Sequence, residues 1–220
     1  MKNETHDINE QLKELGLVEL TWGNASIRDH SLVYIKSSGA DLSKSCEDTI
    51  SVVHLQTGDC QEGNNPSVDT KTHLEIYKGF DKAHSIIHTH SHFATTFAQA
   101  GSTIPCLGTT HADYFNGSIP VVPCLASWDD YEEDTGKSIV KYFKDHNIDP
   151  YEINACLVEK HGVFVWGTDW KSCLESAFVL EIVAKMAYDT IMIGTANKLP
   201  EHIREQHYYR KNGDKKYYGQ

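Results

Sequence analysis

The chain has 220 residues, 40% hydrophobic and 23% charged, which is enough apolar content for one globular domain with a sizeable core. Its formal net charge of −11 at pH 7 disfavours a nucleic-acid or anionic-membrane surface, because a polyanion would be repelled over most of the molecule. An anionic ligand then needs a local pocket of positive potential.

The first residues, MKNETHDINEQLKELG, carry no apolar core of the signal-peptide kind, and no run approaches the ~20 apolar residues of a membrane span, so a cytoplasmic location is expected. Residues 7 to 15 have the spacing of a short amphipathic helix, and SLVYIK (31 to 36) and TISVVHL (49 to 55) alternate as strands do. VDTKTHLEIYKGF (68 to 80) has helical 3–4 spacing, with Asp69 near the start, where a carboxylate suits the helix dipole. Residues 83 to 90 predict a strand, followed by a helix with Phe93, Phe97 and Ala100 on one face and a stop at Gly101. CLVEKHGVFVWG (156 to 167) reads as two strands joined near His161 and Gly162, and Thr168 is placed to cap a long helix running to about Ile193. Cys46, Cys60, Cys106, Cys124, Cys156 and Cys173 form no CxxC pair, which predicts reduced thiols, mostly in the core. No repeat or linker interrupts this order, so a single mixed α/β domain over residues 1 to 220 is expected.

The stretch AHSIIHTHSHFATTFAQAG (83 to 101) holds four histidines within nine positions. On a strand, His88 and His90 share one face, and two imidazoles at i and i+2 at a strand end can bind one metal, although so short a pattern is common by itself. His161, just before Gly162, offers a third imidazole directed at the same sheet end. Three histidines with an open fourth position form the arrangement of a catalytic zinc. His92 belongs on the surface or behind the ligands, while His54, His73, His84 and His111 are not assigned by spacing.

Three turns, TWGNAS (21 to 26), KSSGAD (36 to 41) and NPSVD (65 to 69), combine small polar residues with backbone able to approach an oxyanion, and Lys36 adds positive charge. Each turn alone is more often only a turn. Asp113, in GTTHADYFNGSIP, lies among His111, Tyr114 and Phe115, where a partly desolvated carboxylate could shuttle protons.

Together, TWGN, K-x-SG, PSxDTxTH, HTHSxxAT with AQAG, GTTHADYFxGxIP, HGxFxWG and the terminal YYGQ resemble the class II sugar-phosphate aldolase and epimerase family over nearly the whole chain. The resemblance implies a three-layer α/β/α sandwich with a mainly antiparallel central sheet. It implies a fourfold cyclic homotetramer with active sites at subunit interfaces, and a divalent metal, usually zinc, with manganese an alternative. It puts His88, His90 and His161 on the metal with Asp69 beside it. It gives phosphate binding to Gly23, Asn24, Lys36, Ser38, Gly39 and Ser67, and proton transfer to Asp113 and to Tyr218 from a neighbouring chain. An aspartate at position 69, rather than a glutamate, favours the epimerase branch over the aldolase branch.

The implied reaction inverts C4 of a phosphorylated ketopentose. The proton on C4 is not acidic, so inversion requires retro-aldol cleavage and re-addition. A related sugar-phosphate aldolase or pentulose-phosphate epimerase is the alternative. The retained histidines disfavour a non-catalytic adducin-like module, and the lack of a HExxH glutamate disfavours a zinc hydrolase. The chain departs from the family pattern at Ser37 (proline in the pattern), at Val68 (serine), at Glu159 and Lys160 (more neutral residues) and in a shortened loop at 126 to 131.

Overall fold

The computed structural model describes residues 1–123 and 130–212. In chain order, α1 (Lys2–Glu14), β1 (Asn24–Asp29), β2 (Leu32–Lys36), the single turn α2 (Cys46–Thr49), β3 (Ile50–His54) and β4 (Cys60–Glu62) form the first part. Next come α3 (Thr70–Gly79), β5 (Ser85–Thr89), α4 (His92–Gln99), α5 (Thr109–Ala112) and β6 (Val121–Val122). The last part is α6 (Tyr131–Asp145), β7 (Ala155–Val158), β8 (Gly162–Gly167), α7 (Trp170–Ile193) and α8 (Glu201–Asn212).

The strands form one eight-stranded sheet in the order β4-β3-β2-β1-β5-β8-β7-β6. It is mixed but mostly antiparallel, β6–β7 being the parallel pair. Side chains alternate across a strand. Ile87, Val163 and Val165 therefore enter a core with Ile8 and Leu12 of α1, Phe97 of α4 and Leu180 of α7. Ile86, Phe164 and Trp166 enter a second core with Leu74 and Tyr77 of α3 and Ile139 and Phe143 of α6. Strands β5, β7 and β8 are buried at every position, which explains why ACLV and GVFVWG read as unbroken runs.

Helices α3 and α6 approach closely because Gly136 lacks a side chain, since a Cβ there would lie 2.8 Å from the Thr72 carbonyl oxygen. Trp166 anchors the second core, with its ring centroid 4.9 Å from that of Phe80 and 5.2 Å from that of Phe143, and its Nε1–H donating to the Pro150 carbonyl at 2.7 Å. Trp166→Ala is expected to cost ~3–5 kcal/mol, through lost burial and the cavity left behind. The midpoint of thermal unfolding should then fall by roughly 6–20 °C. A shift below a few degrees in a calorimetric scan would contradict this account.

Several expectations need correction. Helix α1 starts at Lys2 rather than residue 7, because Thr5, Ile8, Asn9 and Leu12 make one buried face. Asn9 fixes that face to β1, accepting from the Ala25 amide at 2.8 Å and donating to its carbonyl at 3.2 Å. The buried face of α4 is Ala94, Thr95, Phe97 and Ala98, so Ala100 is exposed, although Gly101, at φ +63°, does end the helix as expected. Asp169, not Thr168, caps α7, its Oδ1 accepting from the Lys171 and Ser172 amides at 3.0 Å. Among the described thiols, Cys106, Cys156 and Cys173 are buried, Cys46 is half-buried and Cys60 is exposed, and all are free. Cys124 lies outside the described residues.

Candidate metal centre

Strand β5 lies between β1 and β8, and its register places His88 opposite Asn24 on one side and Phe164 on the other. The His88 ring stacks on Phe164 with centroids 4.3 Å apart. Its Nδ1 is 2.9 Å from the Val163 carbonyl, which can only accept, so Nδ1 carries the proton and Nε2 keeps a free lone pair. His90 lies just past the β5 ladder, its Nε2 3.0 Å from His88 Nε2.

His161 comes from the tight β7–β8 turn, where Lys160 takes a left-handed conformation at φ +59°. Its ring centroid is 4.8 Å from that of His88 and 5.2 Å from that of His90. The three imidazoles offer ligand atoms all within 4.8 Å of one another. Burial, with repulsion from His88 added, holds His90 below the usual imidazole range and takes His161 down to about 4. Both are therefore neutral at pH 7, the form that ligates. The His161 Nδ1 is buried with no hydrogen-bond partner. A divalent ion such as zinc fits this donor set, since it would take the place of the proton shared by His88 Nε2 and His90 Nε2, which lie 3.0 Å apart.

Asp69 stands at the N-terminus of α3 but does not cap it. Its Oδ2 accepts from Asn24 Nδ2 at 2.8 Å and lies 4.0 Å from His88 Nε2, beside the cluster rather than inside it. Burial by itself pushes the Asp69 carboxyl up, but attraction to His88, His73 and His161 and the Asn24 hydrogen bond outweigh it and hold the group below its ordinary value. The carboxylate is ionised.

A cavity of about 500 Å³ opens beside the cluster, and Gly23, Asn24, Lys36, Ser38, Gly39 and Ser67 line it together with Asp69, His90 and His161. Asn24 Nδ2 also donates to Ser67 Oγ at 3.0 Å. Lys36 is only 4% exposed, and burial lowers its pKa while the Asp69 charge opposes that shift. All six residues expected at the phosphate thus line the same cavity. Gly23 adopts φ +109°, and a Cβ there would sit 2.7 Å from the His88 carbonyl oxygen. On the other side of His88, a Cβ at Gly162 would sit 2.7 Å from the Thr89 carbonyl oxygen and 3.1 Å from His88 Cε1.

The departures from the family pattern are partly explained. Ser37 donates its amide to the Thr49 carbonyl at 2.8 Å, and its Oγ is 2.7 Å from Ser51 Oγ, bonds that a proline could not make. Val68 points outward, 67% exposed at the cavity mouth. Positions 126–129 of the shortened loop lie outside the described residues. Tyr131, just after them, places its ring 5.7 Å from that of His161.

Asp113 does not line this cavity. It follows α5 and faces α8, where its Oδ1 is 3.0 Å from His207 Nδ1 and 3.3 Å from Arg210 Nη2. Tyr218 lies outside the described residues. His92 is exposed against Phe93 and takes no part in the cluster. Sequence reading missed Phe164, His207 and Arg210. Phe164 had a signal in its strand parity with Gly162 and Trp166, whereas the α8 partners of Asp113 had none.

The match to the family described as Class II Aldolase and Adducin N-terminal domain spans residues 3–188. The chain belongs to that family. It is 39% identical over 226 residues to the L-ribulose-5-phosphate 4-epimerase UlaF of Salmonella paratyphi C (strain RKS4594), covering 100% of this chain and 98% of that protein. It is 40% identical over 227 residues to UlaF of Salmonella paratyphi B (strain ATCC BAA-1250 / SPB7), again covering 100% and 98%. In fold it is similar to an L-fuculose 1-phosphate aldolase, with a TM-score of 0.81 and 23% identity over 95% of this chain and 94% of that one.

Proposed function

We propose that the chain is a divalent-metal-dependent L-ribulose-5-phosphate 4-epimerase, built as an α/β/α layered subunit of a fourfold cyclic tetramer. The observation that carries this reading is the junction of His88, His90 and His161 with the anion-binding turns around Asn24, Lys36 and Ser67 on one cavity. Identity to curated 4-epimerases over the full length supports it. Cleavage of the C3–C4 bond gives the enediolate of dihydroxyacetone and glycolaldehyde phosphate. A divalent ion held by the imidazoles would supply electrophilic stabilisation of the enediolate charge. Lys36, Asn24, Ser38 and Ser67, with the Gly23 and Gly39 turns, hold the phosphate, so the aldehyde can rotate without leaving. Re-addition to its other face gives D-xylulose 5-phosphate.

The C4 hydroxyl loses a proton on cleavage and regains one on re-addition, which requires two proton-transfer groups on opposite faces. Asp113 and Tyr218 take these roles. Asp113 stands apart from its own chain's cavity and serves the site of a neighbouring subunit. Incubation with L-ribulose 5-phosphate and a panel of other pentulose phosphates, followed by a coupled assay for D-xylulose 5-phosphate, tests the reading. Accumulation of free dihydroxyacetone in place of xylulose 5-phosphate would make the protein an aldolase instead.

Lys36→Ala is expected to raise KM for the phosphorylated ketose by roughly ten- to a hundredfold, since a charge-assisted hydrogen bond is worth ~1.5–3 kcal/mol. Asn24→Ala should do at least as much, because Asn24 also holds Asp69 and Ser67. Lys36 is the cleaner probe. If unphosphorylated L-ribulose is turned over as well as its phosphate, the phosphate assignment is wrong.

A further inference from the structure

His90 lacks the backbone support that fixes His88. His88 sits inside the β5–β8 ladder and is fixed by the Val163 carbonyl, whereas His90 lies one residue beyond Thr89, the end of β5, and two before the start of α4 at His92. The orientation of its ring therefore depends on how the start of α4 is held. Ser91 is the N-cap residue of α4, and serine is a residue type that usually caps, yet its side chain makes no capping bond. Its Oγ accepts from the Thr89 hydroxyl at 3.3 Å instead.

The first-turn amides that a cap would satisfy are taken by a carboxylate from far along the chain. Glu181, in the middle of α7, accepts from the Phe93 amide through Oε1 at 2.8 Å and from the Ala94 amide through Oε2 at 3.0 Å. Each oxygen meets one donor, and the charge also suits the positive end of the α4 dipole. The same α7 face closes around Phe93, with Lys185 Nζ 5.6 Å from its ring centroid and the Tyr188 ring centroid 5.7 Å away. Glu181 is thus the tie between the long helix and the turn that presents His90.

We propose that Glu181 is a positioning residue for His90, acting through the first turn of α4, and that it sets the affinity of the three-histidine centre for a divalent metal. This rests on the metal-centre reading given above. Losing a support of this kind around a metal ligand lowers affinity by about 10–100-fold.

The test measures Co²⁺ and Zn²⁺ affinity by competition with a chromophoric chelator, and records the visible absorption of the Co²⁺ protein. It compares the unaltered full chain with Glu181→Ala, Glu181→Gln and Asp169→Ala, each confirmed as folded by circular dichroism at the working temperature. Asp169→Ala removes a helix cap of the same chemistry at the start of α7, so it controls for a general loss of stability. Glu181→Ala should weaken metal binding about tenfold or more and alter the Co²⁺ spectrum. Glu181→Gln, which keeps one acceptor, should fall between, and Asp169→Ala should bind as the unaltered chain does.

Unchanged affinity in Glu181→Ala, or an equal loss in Asp169→Ala, overturns the proposal while leaving the metal centre standing. If Glu181→Ala does not fold, the comparison of Glu181→Gln with Asp169→Ala decides by the same criterion. Failure of the unaltered chain to bind either metal overturns the metal-centre reading and this inference with it.

Discussion

His90→Asn is expected to lower kcat/KM for L-ribulose 5-phosphate by on the order of 10³-fold or more. A metal held by the three imidazoles would stabilise the proposed enediolate charge by several kcal/mol, and each 1.36 kcal/mol is a factor of ten in rate. The fold should survive, because His90 lies outside the β5–β8 ladder and is not part of the buried core. Chelation of the unaltered protein should produce the same loss, and zinc or manganese should restore it. In His90→Asn the metal should restore little. Undiminished turnover by the metal-free variant would remove the three-histidine cluster from the mechanism.

Asp113→Asn is expected to reduce kcat by roughly 10²–10⁴-fold, the usual worth of a general acid–base group. The position of Asp113 makes a sharper test possible. His90→Asn chains keep an intact Asp113, and Asp113→Asn chains keep an intact His90. If the two are unfolded together in equal amounts and reassembled at random, roughly a quarter of sites pair a sound metal centre with a sound Asp113 from the neighbour. Activity should then rise toward a quarter of that of the unaltered protein. A site built within one chain would gain nothing, since no chain carries both residues intact. No gain, with mixed oligomers confirmed by native mass spectrometry, would place Asp113 outside a shared site.

The three-histidine cluster was legible because its spacing has a direct physical meaning. His88 and His90 share a face through strand alternation, and His161 precedes a glycine at a hairpin turn. The turns that line the cavity were legible as glycine and hydroxyl clusters, though joining them in one cavity required the sheet order, which sets β1 and β2 next to β5. Strand β1 itself was read only as a turn, because Asn24, Ser26 and Arg28 alternate with two apolar residues, and the polar face is buried by site partners rather than exposed to water. Helices α6 and α8 gave little signal. Helix α6 has Gly136 in its middle and two large apolar residues deeply buried, Ile139 and Phe143, while α8 buries Tyr208 among charged neighbours. Glu181 carries no local signal beyond being a charge in a largely apolar helix, and its partners lie 87 and 88 residues away. Contacts of that range depend on tertiary packing, which local periodicity does not encode.

The two glycines that flank His88 impose a limit on anyone redesigning this cavity for a different sugar. Neither offers a polar atom from a side chain, yet at each position a single methyl group would press on the backbone of the strand that carries the ligand, at 2.7 Å in both cases. Gly23 is further restricted by its left-handed backbone. Mutational libraries that treat positions 23 and 162 as neutral filler would therefore spread the strands and misalign the imidazoles. Diversity is better placed at Trp22 and Val68, whose side chains are 57% and 67% exposed at the rim. The freedom to change what the cavity accepts lies in its turns, while the spacing of its sheet is set by the absence of two side chains.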